Sequence, residues 1–177
     1  MIIIPQTKGG VGKSTVAMQV IAPYLYKKHG KKITYIEIDD ENNDSQSFTR
    51  TEIVNKRMLS TNKLSELDEL ILMDDNHQVI VDVGGNKTSS LVLEEIKKVG
   101  SFGNVKWIIP LGDGELDGKN AIATMKKIRK IEENSQNNML FALNRAISTE
   151  PDYLQEQFIM QCTSVISPSA FFTTPVH

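Results

Sequence analysis

Ile2-Ile3-Ile4-Pro5-Gln6-Thr7-Lys8-Gly9-Gly10-Val11-Gly12-Lys13-Ser14-Thr15 begins as an apolar run, passes through a glycine-rich turn and enters a helical pattern. Strand, glycine turn and helix in that order are the context of a phosphate-binding loop. The glycines let backbone N–H groups converge on phosphate oxygens without side chains in the way. The helix that follows adds its positive N-terminal end. Lys13 is placed to reach a β- or γ-phosphate as a point charge, and the Ser14 hydroxyl to ligate Mg²⁺. A structural turn without a ligand is the competing reading, and Gly-Lys-Ser-Thr in the first strand–helix unit argues against it. The ordinary loop has glycine where Thr7 stands; this chain instead supplies an additional lysine, Lys8.

Beyond the loop, apolar runs at 2–5, 33–38, 79–83, 105–110 and 139–144 are expected to be buried strands, with a weaker sixth at 163–166. Continuous rather than alternating apolar strands belong to a sheet covered on both faces. Between them lie helical patterns at 14–26, around Leu64, Leu67 and Ile71, around Leu91, Ile96 and Val99, and along Ala121, Met125, Ile128 and Ile131. Thr149, Pro151 and Asp152 are expected to open another helix through Tyr153 and Phe158. The alternation predicts an α/β fold: a three-layer, doubly wound, mostly parallel sheet with helices on both faces, as in P-loop NTPases. With 177 residues and no visible linker or repeat, residues 1–177 are read as a single domain. The polar segment 39–51 is expected to be a surface loop leading into a helix.

Composition excludes several classes. The lone Cys162 can form no internal disulfide and cannot alone hold an iron–sulfur cluster. No apolar run approaches the roughly 20 residues of a membrane span, and Pro5 ends the first run too early for a signal peptide. A cytoplasmic setting is therefore expected. The net charge of −2 advertises no global affinity for nucleic acid. Two local clusters, Lys27, Lys28, Lys31, Lys32 and Lys126, Lys127, Arg129, Lys130, read first as solvated helix faces. His29, His77 and His177 lie apart in polar contexts, share no ligand spacing and read as surface residues.

Lys8-Gly9-Gly10-Val11-Gly12-Lys13-Ser14-Thr15 resembles the deviant Walker A motif of the ParA/MinD family, and the resemblance extends over roughly residues 1–170. It implies ATP and Mg²⁺ as cofactors, with Lys8 crossing a subunit boundary to contact phosphate held by a second copy. Physically, that is a cation supplied in trans; the alternative for Lys8 is a solvated loop lysine. Asp39 ends a strand reading Ile-Thr-Tyr-Ile-Glu-Ile-Asp and matches the family aspartate that orients the attacking water. A capping aspartate is the alternative. Glu37 stands where relatives usually carry Asp, and Asp40 and Glu41 replace the usual Pro-Gln, so the nearby switch geometry departs from the pattern. Val79-Ile-Val-Asp82-Val-Gly84-Gly85 resembles Walker B, with Asp82 holding Mg²⁺ directly or through water. Gly84 and Gly85 would let the next loop respond to the γ-phosphate. Asn144 matches the asparagine that reads the adenine edge, or else caps a loop. For Asp117, helix capping and an interface role weigh equally.

The resemblance implies a weak, partner-stimulated ATP hydrolase whose ATP-dependent homodimer drives plasmid partition, positioning or transfer of DNA or of a protein complex. Rival branches are a membrane-associated MinD-like ATPase, for which no terminal amphipathic helix is visible, and an ATP-dependent metabolic synthetase on the same scaffold. The iron–sulfur reductase branch fails on Cys162, and the bacterial tyrosine kinase branch lacks a C-terminal tyrosine cluster. An ATP-sensing module that hardly hydrolyses is the non-enzyme alternative. Relatives continue for a further helix or more after the position of Pro168, so the chain is expected to be a minimal member or a fragment truncated at its C-terminus. No N-terminal helix-turn-helix is visible before the strand at Ile2, so sequence-specific operator binding is not expected, and non-specific DNA binding through Lys126 to Lys130 is the nucleic-acid hypothesis.

Overall fold

The computed structural model describes residues 1–39, 52–74, 77–100, 102–112, 114–132, 138–144, 150 and 152–153. Strand β1 (Ile2–Ile4) leads through the glycine loop into helix α1. This helix runs as Lys13–Thr15, a π-helical stretch Val16–Ile21, and Ala22–His29. Pro23 accounts for the irregularity: it has no N–H to donate and its ring would collide with a carbonyl one turn back. The wider π turn just before it, closed by Ala22 N–H to Ala17 O, removes that collision. Gly30, in the left-handed conformation at φ 68°, ends the helix.

There follow β2 (Ile33–Ile38), β3 (Val54–Met58), α2 (Glu66–Met73), β4 (Val79–Val83), α3 (Asn86–Val99), β5 (Lys106–Leu111), α4 (Glu115–Ile131) and β6 (Met139–Leu143). The sheet order is β3-β2-β4-β1-β5-β6, and every pairing is parallel. Neighbouring side chains alternate between the two faces. Ile2, Ile4, Ile33, Tyr35, Ile80 and Ile108 pack with Val16, Ala17, Ala22 and Leu25 of α1. Ile3, Ile36, Ile38, Val81, Trp107 and Ile109 face Leu67 and Ile71 of α2, Val92 and Ile96 of α3, and Ala121, Met125 and Ile128 of α4. The phosphate-loop helix thus covers one face and three helices cover the other, which is the layered α/β arrangement the sequence predicts.

Three expectations change. Strand β3 was not anticipated: the segment after β2 leads into Val-Asn-Lys-Arg-Met, a polar strand on the edge of the sheet with only one strand neighbour. The fifth strand is shifted by one residue and ends at Leu111. His29 and His77, read as surface residues, are only partly exposed. His77 adopts φ 53° and sets Nδ1 2.8 Å from the Met1 amine, which also contacts Asp74 at 3.0 Å. Burial is the main cause lowering the pKa of both His77 and that amine. The expected strand at 163–166, Cys162, His177 and the segment 40–51 lie outside the described residues, as does most of the expected helix after Thr149; Asp152 and Tyr153 are helical.

Pro110 sits within β5 although proline normally avoids interior strands. Pairing of β5 with β1 reaches only Trp107, so no β1 carbonyl awaits a Pro110 N–H. Gln6 instead closes that gap, with Nε2 donating to Pro110 O at 3.0 Å. Central packing should dominate stability. Ile80→Ala, fully buried on β4, is expected to cost about 2–5 kcal/mol in urea unfolding. Leu72→Ala, 59% exposed on α2, is expected to stay within about 0.5 kcal/mol.

Candidate functional site

β1, β2 and β4 end side by side, and their register sets Glu37 opposite Asp82 and Ile38 opposite Val83. A cleft at these strand ends is lined by Lys13, Ser14, Glu37, Asp39, Asp82, Val83 and Gly84. The structure therefore brings together the loop lysine, the loop serine and both candidate aspartates. This is where open parallel sheets place ligands.

Gly10 (φ 74°) and Gly12 (φ 86°) hold the loop in left-handed backbone conformations that L side chains rarely adopt. Gly12 is constrained twice, because a methyl group there would overlap the Asn144 side-chain amide. Asn144 Nδ2 donates to Val11 O at 3.1 Å, tying the end of β6 to the loop. After β4, a methyl on Gly84 would lie 2.9 Å from both Asp39 Cγ and Ile38 O, and one on Gly85 would lie 3.4 Å from Gly9 N. The two glycines thus let the β4 loop touch Asp39 on one side and the phosphate loop on the other. Gly84 N–H donates to Ile38 O at 2.6 Å.

Asp82 is 3% exposed, and Tyr35 from β2 donates its hydroxyl to Asp82 Oδ2 at 2.7 Å. Burial, the largest influence, raises the Asp82 pKa, while the Ser14 and Tyr35 hydroxyls and the Lys13 ammonium oppose that rise. Burial, with Asp82 and Glu37 nearby, likewise raises the Tyr35 pKa, keeping its phenol a donor. Asp82 Oδ1 makes no hydrogen bond despite being buried. An unsatisfied carboxylate oxygen beside a serine hydroxyl offers the oxygen donors a hard cation takes, so Asp82 and Ser14 fit Mg²⁺. Among the described residues no group of three or more His, Cys, Asp or Glu is arranged to hold a metal. A cation here would accordingly take most of its ligands from phosphate and water.

Lys8 is not among the residues lining the cleft. Its Nζ donates to Asp117 Oδ1, near the start of α4, and forms an ion pair with it. Asp117 is 6% exposed, and a methyl on Gly112 would overlap its carboxylate. Sequence left Asp117 between capping and interface roles; the structure gives its carboxylate to a loop lysine of the same chain. Two turns further along the same helix, Thr124 Oγ1 donates to Gln6 Oε1 at 3.0 Å. Gln6, Tyr35, Asp117 and Thr124 were not anticipated as neighbours of the site.

Residues 1–101 match the model of the AAA domain family. The chain belongs to that family. The AAA domain here has the P-loop NTPase fold, in line with the ParA/MinD-like reading of the loop. Among solved structures the fold is similar to that of cobyrinic acid a,c-diamide synthase from Mycobacterium smegmatis with bound ATP analog and magnesium. That likeness has a TM-score of 0.52 at 14% identity, covering 88% of this chain and 80% of the other. A de novo designed protein of P-loop NTPase fold aligns at a TM-score of 0.44 and 10% identity over 93% of this chain and 94% of its own. No curated protein matches. Among the described residues no helix is long and apolar enough to cross a membrane.

Gly12→Ala is expected to weaken binding of a fluorescent ATP analogue at least tenfold, since left-handed strain costs about 1–3 kcal/mol before the clash with Asn144 is counted. Removing the clash in Gly12→Ala/Asn144→Ala should recover only part of that loss, as titration of the analogue would show.

Proposed function

We propose that this protein is a ParA-like ATPase whose subunits are joined by ATP and parted by its hydrolysis. The observation that carries this reading is the separation of the two loop lysines. Lys13 lines the cleft with Ser14, Asp39 and Asp82, whereas Lys8 leaves it to pair with Asp117. A lysine pointing out of its own cleft is free to serve another, once phosphate replaces Asp117 as its anionic partner.

In this reading the backbone of Gly9, Gly10, Val11 and Gly12, with Lys13 and Thr15, clasps the phosphates of ATP. Ser14 and Asp82 hold Mg²⁺, which when bound neutralises charge on the phosphate oxygens. Asp39, against Gly84 at the strand ends, orients the attacking water in line with the γ-phosphate. Lys8 of a second copy adds a cation there, an effect worth on the order of 10³ to 10⁵ in rate for comparable fingers. Asn144, already beside the loop, would face the adenine. Hydrolysis removes the shared γ-phosphate contacts and the halves separate, a ligand-linked population shift. Slow turnover, stimulated by a partner protein, is what the ParA/MinD resemblance implies for such a dimer. The cargo would be plasmid or chromosomal DNA or a transfer complex, in a cytoplasmic setting.

Size analysis with ATP·Mg²⁺, ADP or no nucleotide tests this directly. Asp39→Ala is expected to accumulate as an ATP-bound dimer with turnover reduced at least 100-fold. Lys8→Ala is expected to stay monomeric or to form an inactive dimer. Normal hydrolysis by Asp39→Ala would show that another group positions the water. Turnover requiring a carboxylate substrate, without any change in size, would favour the ATP-dependent synthetase instead.

Lys126, Lys127, Arg129 and Lys130 are exposed near the end of α4 and would meet DNA non-specifically in the dimer. Reversing these four charges is expected to abolish DNA co-sedimentation. In the unaltered protein that binding should weaken with salt at a logarithmic slope of about −0.9 per neutralised phosphate. Unchanged co-sedimentation would place the DNA contact elsewhere.

A further inference from the structure

The phosphate-loop reading leaves Tyr35 unused, although it is fully buried and its hydroxyl reaches a charged side chain. β2 pairs Tyr35 with Ile80 and Glu37 with Asp82. The contact from Tyr35 to Asp82 is therefore diagonal across the two strands, a span that an aromatic side chain can bridge. Both side chains project to the face covered by α1, where the Ser14 hydroxyl lies beside the same pair. Tyr35 thus touches one candidate metal-holding side chain and adjoins the other, while its ring packs among Ile33, Ile80, Val16 and Ala17.

We propose that Tyr35 is the positioning residue of the metal site, fixing the Asp82 carboxylate through Oδ2 so that Oδ1 is reserved for Mg²⁺ or for a water bound to it. This rests on the reading of Asp82 as a metal-holding residue. A buried carboxylate can turn about its terminal torsion, and without an anchor it would spread its charge over several orientations. The phenol ties one oxygen down and leaves the other unsatisfied, at 2.7 Å for the first and with no hydrogen bond for the second. Partners that orient a metal ligand in this way are commonly worth 10- to 100-fold in metal affinity. A purely structural hydroxyl would instead be expected to find a backbone partner and to leave both carboxylate oxygens similarly placed.

The test uses the full chain with a non-hydrolysable ATP analogue, titrated with Mn²⁺ and followed by electron paramagnetic resonance. Tyr35→Phe, which removes only the hydroxyl, is expected to weaken Mn²⁺ binding about 10- to 100-fold. Binding of the analogue in EDTA should change less than threefold. In an Asp82→Asn background, Tyr35→Phe should bring no further loss. Equal Mn²⁺ affinity in Tyr35→Phe and the unaltered protein, with Asp82→Asn weakened, would overturn the role of Tyr35 alone. Mn²⁺ binding unaffected by Asp82→Asn would overturn the underlying metal assignment as well. If Tyr35→Phe does not fold, 3-fluorotyrosine labelling supplies a second measurement. Tyr24, Tyr26 and Tyr153 are exposed, so the solvent-shielded fluorine signal belongs to Tyr35. That signal should shift on adding Mg²⁺ to the analogue-bound protein, and a signal unmoved by the metal counts against the proposal.

Discussion

Parallel pairing of β4 with both β1 and β2 is the constraint on which the site rests. Because the three strands run the same way, their carboxyl ends open onto one cleft, and each delivers its side chains at a fixed height. Register then does the fine placement. Glu37 opposite Asp82, with Asp39 one step beyond Ile38, sets three acids around the entry to the loop helix. A slip of one residue in β2 would send Tyr35, Glu37 and Asp39 to the other face. The apolar packing of Ile33 and Tyr35 against α1, and of Ile36 and Ile38 against the opposite helices, makes such a slip costly.

The acids are held in different ways, and the differences matter for electrostatics. Asp82 is buried and tethered by Tyr35, with Lys13 and Ser14 close by. Glu37 is 3% exposed and lies 3.6 Å from Lys56 of the edge strand, a cation that partly balances its charge. Asp117 sits outside this group and is matched by Lys8. Each buried negative charge therefore has a positive or hydrogen-bonding neighbour, as burial of charge requires. Asp82 Oδ1, buried in the cleft beside Ser14 and without a hydrogen bond, is placed to meet a ligand.

Much of this was legible in the residues. The glycine loop and the apolar runs of β1, β2, β4, β5 and β6 announced themselves because burial on both sheet faces leaves a continuous hydrophobic signature. β3 did not, since Val54-Asn55-Lys56-Arg57-Met58 lies on the sheet edge and is mostly solvent-facing. The π-helical turn was foreshadowed only by Pro23 inside a helical pattern. Contacts across long sequence distance were out of reach: Gln6 with Thr124, Lys8 with Asp117 and Tyr35 with Asp82 depend on strand order and register. Tyr35 in a buried strand was the one available hint, a polar handle that must find a partner once buried.

Gln6 and Lys8 are both fastened to α4, at Thr124 and Asp117, about two turns apart along one side of that helix. The start of the phosphate loop is thus lashed to a rod of 17 residues, roughly 26 Å long at 1.5 Å per residue. Such a rod bends little, so displacing the loop means either breaking two polar ties or tilting the whole rod. The second tie, at Thr124, comes just before the exposed Lys126, Lys127, Arg129 and Lys130 of the last turns. The entrance to the loop is thereby braced from outside the sheet, by a helix that itself rests on the core through Ala121, Met125 and Ile128.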